Sequence, residues 1–154
     1  MLRLPASGLT EIPPATALSS PVGGGGAVLD AFAFLAFLQD EQGAARVARL
    51  LEESRPGAPI VMSYVNLGEV LYIVERERGQ TVPDQVLATA ARLPIRLLEV
   101  GRRQTIVAAR LKARYPISYA DAMCAALGSI ADLPVVTGDP EFKVLDEEIE
   151  LIWL

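Results

Sequence analysis

Short apolar runs alternate with amphipathic stretches from Ala27 to the end of the chain. Continuous apolar runs are typical of buried strands, whereas apolar positions three and four residues apart are typical of helices that pack on a sheet. Regular alternation of the two patterns indicates βα units around a mainly parallel sheet. The pattern therefore predicts an α/β fold.

The apolar runs predict strands at residues 27–30, 60–62, 95–100, 135–137 and 149–154. The amphipathic stretches predict helices at residues 32–38, 44–54, 64–78, 81–92, 102–115 and 119–131. Ser63 and Ser118 precede two of these helices and are suited to cap them, and Gly79 is suited to end the first of the two. The helix at 102–115 is expected to turn Ile106, Ala109 and Leu111 inward.

Residues 1–26 lack this periodicity and are rich in proline, and they end in the run Gly23 to Gly26. We expect them to form a flexible arm or linker ahead of a single domain at 27–154. The glycine run is not followed by the Lys-Ser or Lys-Thr of a phosphate-binding loop, so a structural role is favoured. The 154 residues of the chain are enough for one such domain with a real core.

The composition removes several kinds of active site. The chain has no histidine and one cysteine, Cys124. Histidine-based nucleophilic sites, zinc sites with histidine ligands and an intrachain disulfide are therefore excluded. Cys124 lies in an apolar run and is expected to fill the core. A single cysteine fits a reducing cytoplasm.

Charge is unevenly distributed along the chain. The net charge is −5, which by itself argues against a polyanionic partner. Residues 76–114, however, contain nine basic and three acidic residues, or +6, and the remainder therefore carries −11. This asymmetry suits one surface that faces a polyanion and one acidic site that needs cations, although basic helices are more often simply solvated.

No apolar run reaches the length of a membrane span, because acidic residues interrupt each of them. The N-terminal residues contain prolines and Glu11 where a secretory signal would have a continuous apolar region. We therefore expect a cytoplasmic protein with no membrane partner.

Four carboxylates interrupt apolar segments at the end of a strand or near the start of a helix: Asp30, Glu69, Asp121 and Asp139. In an open parallel sheet these places share one edge, where ligands bind. Carboxylates buried together require cations, and an all-oxygen set of ligands selects Mg²⁺ or Mn²⁺. Such ions commonly bridge to phosphate oxygens, which points to phosphodiester chemistry.

Each carboxylate also has an ordinary explanation. Asp30 and Asp139 suit turns at strand ends, Asp121 suits the first turn of a helix, and Glu69 suits a solvated helix position. The shared placement of all four favours a site over four separate explanations.

Four segments around these residues resemble the PIN-domain ribonuclease family, and within it the small VapC-like toxins of toxin-antitoxin pairs. The resemblance extends over residues 27–154, and its segments are 28–32, 66–70, 118–122 and 136–142. It implies a three-layer α/β/α fold with a mainly parallel central sheet. The chain departs from many relatives at Phe32, where they have Ser or Thr.

The resemblance implies a Mg²⁺- or Mn²⁺-dependent endoribonuclease that is the toxin of a toxin-antitoxin pair. Asp30, Glu69, Asp121 and Asp139 would be both the catalytic residues and the metal ligands, and water activated by the metal would cleave RNA to leave 5′-phosphate ends. Thr137 and Asn66 are candidates for orienting the carboxylates. Thr137 equally suits an ordinary strand position.

The partners implied are an RNA substrate, a cognate antitoxin and a second copy of the chain. Three aromatic residues near the first helix, Phe32, Phe34 and Phe37, suit the core, a dimer contact or an antitoxin contact, and the core is favoured. Two other functions remain open: a catalytically silent module of the same fold that binds RNA or a partner, and a phosphatase or nucleotidase. The chain has no Asp-x-Asp phosphoryl acceptor, which disfavours the phosphatase or nucleotidase.

Overall fold

Five short apolar segments form one sheet in the computed structural model, which describes residues 25–154. The strands are β1 (Ala27–Leu29), β2 (Ile60–Ser63), β3 (Ile95–Leu98), β4 (Val135–Thr137) and β5 (Leu151–Trp153). They pair in the order β3-β2-β1-β4-β5, and every pair is parallel. The predicted α/β fold is therefore confirmed. Apart from Gly25 and Gly26, the predicted arm at 1–26 lies outside the described residues.

Six α-helices connect the strands: α1 (Ala31–Gln39), α2 (Ala44–Glu52), α3 (Tyr64–Arg78), α4 (Val82–Ala90), α5 (Arg102–Arg114) and α6 (Tyr119–Ala131). Both α3 and α6 begin and end where the sequence predicts. A 3₁₀ helix at Pro140–Leu145 was not predicted. The last strand is shorter than expected, because the backbone N–H of Ile149 bonds to the carbonyl of Leu145, in the turn that follows this 3₁₀ helix.

The strands bury side chains on both faces, as expected for a sheet covered on two sides. Val28, Val61 and Val135 point to one face and pack with α5, α6 and the 3₁₀ helix. Leu29 and Met62 point to the opposite face, which α1 to α4 cover. This alternation gives the three layers of the α/β/α arrangement.

Helix α6 approaches the sheet closely because it carries small residues. At Gly128 a Cβ atom would lie 2.8 Å from Cγ2 of Val135 and 3.1 Å from the carbonyl oxygen of Leu133. Such contacts are too short for any side chain to be added without displacing β4. The glycine therefore lets α6 pack directly against β4. Cys124, in the middle of α6, is completely buried, as expected for a core residue.

Two expectations about side-chain placement were only partly right: Leu111 and Phe34 are buried as predicted, but Ala109 and Phe32 are not. In α5 the buried residues are Gln104, Ala108 and Leu111, whereas Ala109 is exposed. The helix is rotated because the Gln104 amide donates a hydrogen bond of 3.0 Å to the carbonyl of Met123 in α6. In α1, Phe34 is buried in the core, but the side chain of Phe32 is 42% exposed.

No helix among the described residues combines the length and the apolar character that crossing a membrane requires.

Candidate functional site

The four predicted carboxylates lie at the edge of the sheet where the strands end. Asp30 directly follows β1, and Asp139 comes two residues after β4. Glu69 lies in α3, which begins directly after β2, and Asp121 lies in the first turn of α6. We call this region the acidic edge, defined by Asp30, Glu69, Asp121 and Asp139.

Asp30 is fixed in place by the start of α1. Its carboxylate caps the helix by accepting a hydrogen bond of 2.7 Å from the backbone N–H of Ala33. The side chain is almost completely buried. The pKa of Asp30 is raised from its ordinary 3.8 to about 7, chiefly by burial and also by the charges of Asp121 and Asp139, against the lowering effect of hydrogen bonds from Thr137 and Ala33.

Thr137 connects two of the carboxylates. Its hydroxyl donates to the carboxylate of Asp30 and accepts a hydrogen bond of 2.9 Å from the backbone N–H of Asp139. The side chain is completely buried at the end of β4. Thr137 thus holds Asp30 against the loop that carries Asp139. It was predicted to orient the carboxylates, and this contact is the one such a role requires.

Asp121 is held by the residue that caps its helix. The hydroxyl of Ser118 donates a hydrogen bond of 2.7 Å to the Asp121 carboxylate and accepts one of 3.0 Å from the Asp121 backbone N–H. Burial raises the pKa of Asp121; the hydrogen bond from Ser118 lowers it, and the charges of Asp139 and Glu141 raise it. The side chain is therefore fixed, yet its ionised form is disfavoured by its surroundings.

Glu69 lies beside this group on α3. It is half-buried, and burial followed by the charges of Asp121 and Asp139 raises its pKa. The structure thus brings Glu69 into the same electrostatic environment as the other three carboxylates of the acidic edge.

A fifth carboxylate joins the acidic edge. Carboxylate oxygens of Asp121, Asp139 and Glu141 lie within 4.8 Å of one another. Glu141 is exposed, and its backbone N–H donates 2.9 Å to the carboxylate of Asp139. That hydrogen bond caps the start of the 3₁₀ helix and turns Glu141 back toward the site.

The family-model comparison decides the affiliation of the chain. The model of the PIN domain matches residues 27–148, which include every carboxylate described above. The chain belongs to the PIN-domain family. No curated protein gives a significant match to the chain.

Solved structures share the fold of this PIN domain. VapC20 from Mycobacterium tuberculosis, described as a Sarcin-Ricin loop cleaving toxin, is 18% identical over 83% of this chain and 99% of that chain, with a TM-score of 0.65. VapBC2 from Rickettsia felis, solved with a DNA fragment from its promoter, is 15% identical. The match covers 82% of this chain and 96% of that chain, with a TM-score of 0.64. VapBC-5 from M. tuberculosis is 24% identical over 85% of this chain and 100% of that chain, with a TM-score of 0.57. At these identities the likeness is one of fold.

Asn66 acts on the site of this PIN domain through the backbone. Its buried side chain accepts 2.7 Å from the hydroxyl of Ser63 and donates 3.0 Å to the carbonyl of Ala120, directly before Asp121. Among the hydrogen bonds of the described residues, none joins Asn66 to a carboxylate. Asn66 therefore fixes the start of α3 to the start of α6 and positions the helix that carries Asp121.

The carboxylates of the acidic edge have no ion-pair partner within the part of the chain that the structure describes. Among residues 25–154, no lysine or arginine forms an ion pair with any of them. Oxygen ligands alone, crowded and held by short hydrogen bonds, suit a hard divalent cation. The donor set of this PIN domain therefore fits Mg²⁺ or Mn²⁺.

Sequence reasoning did not select Glu141, although it lies inside the segment 136–142 that carries the family resemblance. An acid two residues after Asp139 and directly after a proline was the available indication. That indication becomes meaningful only with the 3₁₀ helix, because this turn brings Glu141 back to Asp139.

Proposed function

We propose that this chain is a Mg²⁺- or Mn²⁺-dependent endoribonuclease and the toxin component of a toxin-antitoxin pair. The proposal assigns metal binding and catalysis to Asp30, Glu69, Asp121 and Asp139, with Glu141 as an outer carboxylate. Thr137 and Asn66 hold these groups in position.

One observation carries the proposal: carboxylates from four separate segments converge at the acidic edge without a protein cation among the described residues. Their mutual repulsion and their burial both raise the pKa values of Asp30, Glu69 and Asp121. A chain gains nothing in stability from such an arrangement, since each ionised group costs free energy. A bound divalent cation removes that cost and explains why the groups are held so firmly.

The residues of the site have two roles: carboxylates that would bind the ion, and hydrogen-bond donors that orient those carboxylates. Asp121 and Asp139, whose carboxylate oxygens lie within 4.8 Å of each other, would hold the ion, with Asp30 and Glu69 contributing from beside them. When bound, the ion supplies an activated water nucleophile and neutralises charge on the phosphate oxygens. Ser118, Ala33 and Thr137 keep the carboxylates in fixed orientations through the hydrogen bonds described above, so that little reorganisation is needed during cleavage.

The partners proposed are RNA, a cognate antitoxin and a second copy of the chain, in the cytoplasm. Several structures of similar fold are described as complexes of the VapBC type, two of them with DNA, from Rickettsia felis and Salmonella typhimurium. These likenesses support a protein partner for this chain. The basic stretch at 76–114 provides positive charge for contact with RNA.

The test is cleavage of structured RNAs by the full chain, titrated with Mg²⁺ and Mn²⁺ and repeated with a chelator. We expect metal-dependent cuts that leave 5′-phosphate and 3′-hydroxyl ends. Asp30→Asn is expected to abolish cleavage, because Asn still caps α1 but lacks the charge. Glu148→Gln, which neutralises an acid outside the acidic edge, serves as the matched control.

Three outcomes would overturn the proposal. Metal-dependent cleavage retained in Asp30→Asn would remove the acidic edge from catalysis. Tight Mn²⁺ and RNA binding without any cleavage would favour the catalytically silent module. Release of inorganic phosphate from nucleotides, without internal cuts in RNA, would favour the phosphatase.

A further inference from the structure

Exposed aromatic side chains concentrate at the acidic edge. Among the described residues, four aromatic residues belong to the large apolar side chains left exposed: Phe32, Tyr64, Tyr72 and Tyr119. Three of the four, all except Tyr72, occupy the first turns of α1, α3 and α6. These three helices carry Asp30, Glu69 and Asp121 at or near their starts, so the exposed rings surround the site.

Phe32 is the ring most closely built into the site. It lies two residues after Asp30, and its neighbours in α1, Ala31 and Ala33, are buried while it is 42% exposed. Its ring packs on Gly138, where a Cβ atom would lie 2.3 Å from Cε1 and 2.8 Å from Cδ1 of the ring. No residue with a side chain fits at position 138 while the ring stays in place.

Gly138 connects the ring to the segment that carries Asp139. It is preceded by Thr137, which bonds both Asp30 and Asp139, and followed by Asp139 itself. The Phe32 ring is thus connected through α1 to Asp30 and through Gly138 to Asp139. The ring is therefore near enough to the acidic edge to be tested as a contact for a nucleotide bound there.

Leaving a large apolar ring in water is unfavourable, because burial of a phenylalanine contributes about 1.5–3 kcal/mol. A nucleobase offers a flat apolar surface that covers such a ring, and stacking of one base contributes about 1–3 kcal/mol. An unpaired base beside the scissile phosphate is the part of an RNA that reaches this position. A paired base is already stacked within its helix and is less available.

We propose that Phe32, seated on Gly138, stacks on the unpaired base of a nucleotide that flanks the scissile phosphate. This inference rests on the proposed nuclease function and adds a subsite to it. Phe32 then selects RNA that is single-stranded at the cleavage position, without reading its sequence, because every base has a flat face.

Binding of fluorescein-labelled single-stranded RNA oligonucleotides, followed by anisotropy in Ca²⁺ to limit turnover, tests the subsite. Phe32→Ala is expected to weaken binding about 5- to 100-fold. Phe32→Leu, which keeps apolar packing on Gly138, should lose most of the same affinity, whereas Phe32→Trp should retain it. Leu87→Ala is the control, because Leu87 is equally exposed at 42% and lies on α4.

A second series separates stacking from a structural effect. Oligonucleotides with one abasic nucleotide at successive positions are expected to reveal one position where the wild-type chain loses affinity. At that position Phe32→Ala should lose no further affinity, because the stacking partner is already absent. A role confined to folding would leave the abasic penalty equal in both proteins, and that result would overturn the subsite.

The outcomes distinguish this inference from the proposed function. RNA binding and cleavage that are indifferent to Phe32 would overturn the subsite alone. Failure of the wild-type chain to bind or cleave any RNA would overturn the nuclease function as well. If Phe32→Ala changes only self-association, measured by sedimentation, the ring belongs to a contact between protein chains and the subsite is wrong.

Discussion

Two acidic regions of this molecule are treated in opposite ways. On the surface, Glu148 accepts 2.6 Å from the hydroxyl of Tyr115 and 3.1 Å from the guanidinium of Arg114. The hydrogen bond from Tyr115 is the largest cause that lowers the pKa of Glu148; burial opposes it, and the charge and hydrogen bond of Arg114 lower the pKa further. At the acidic edge, by contrast, burial and neighbouring carboxylates raise the pKa of Asp30 to about 7.

The difference lies in what the chain supplies to each acid. Glu148 receives both hydrogen-bond donors and a cation, so its charge is balanced within the protein. Asp30 and Asp121 receive donors that fix their position, namely Ala33, Thr137 and Ser118, but no cation among the described residues. A site that orients its charges without balancing them requires an ion from solution.

Neutralising two carboxylates that lie within 4.8 Å of each other is the most direct way to break this comparison. The double variant Asp121→Asn, Asp139→Asn is expected to weaken Mn²⁺ binding about a hundredfold or more, since affinity depends on the number of charged oxygen ligands. Isothermal titration calorimetry measures the effect. The matched double variant Glu147→Gln, Glu148→Gln removes two charges outside the acidic edge and should bind Mn²⁺ like the wild type. Equal loss in both would mean that only net charge matters.

The second prediction compares the two regions through pH. In metal-free protein the folded-state pKa of Asp30 lies above the ordinary 3.8, so the folded chain takes up a proton between pH 4 and 7. The contribution of Asp30 to stability is therefore fully present below pH 4, falls as pH rises, and is lost above about pH 7. Asp30→Asn should stabilise the chelated protein by about 2–4 kcal/mol at pH 8 and by little at pH 4, as measured by urea unfolding.

Glu148→Gln should show the opposite sign. The folded-state pKa of Glu148 is lowered, so its favourable contribution is present above its ordinary 4.5 and is lost as pH falls through the folded value. The variant is expected to be slightly less stable than the wild type at pH 7 and equal to it in strong acid. If both variants shift stability in the same direction at neutral pH, the contrast between the two regions is wrong.

Thr137→Val sharpens the comparison by removing a donor and leaving every charge. The substitution preserves the side-chain shape but frees Asp30 from the loop that carries Asp139. We expect kcat to fall about 10- to 100-fold, the usual effect of losing a group that orients a metal ligand. Thr105→Val, which removes a hydroxyl that donates 3.2 Å to the Gly101 carbonyl at an exposed position of α5, should leave kcat unchanged.

Glu141→Gln is expected to have the smallest effect. Glu141 is exposed, and a unit charge contributes about 2 kcal/mol to a divalent ion at 4 Å in water, so Mn²⁺ affinity should fall about 30-fold at most. Calorimetry on this variant checks the order of importance within the acidic edge. A loss as large as that of the double variant would make Glu141 a principal ligand.

Much of the fold follows from local sequence. Ser63 and Ser118 cap α3 and α6 through hydrogen bonds to the backbone three residues later, which is why the bounds of those helices are readable from the chain. The strands were found because their residues are apolar on both faces. The rotation of α5 was not readable, since it depends on the bond from Gln104 to α6.

The site was predictable as far as strand ends and helix starts place residues at one edge. That argument selected the four carboxylates, whereas Thr137 came from the family resemblance. It did not find Glu141, whose position depends on a 3₁₀ helix. It also did not find where the Phe32 ring lies, which depends on contact with the distant Gly138. Both are tertiary contacts that apolar periodicity does not contain.

The location of Mn²⁺ in crystals of the full chain, determined from its anomalous scattering, tests the central claim most directly. The account predicts an ion bonded to carboxylate oxygens of Asp121 and Asp139 and next to Asp30, and none beside Glu148. An ion bound elsewhere, with the acidic edge empty under conditions in which the chain cleaves RNA, would contradict it.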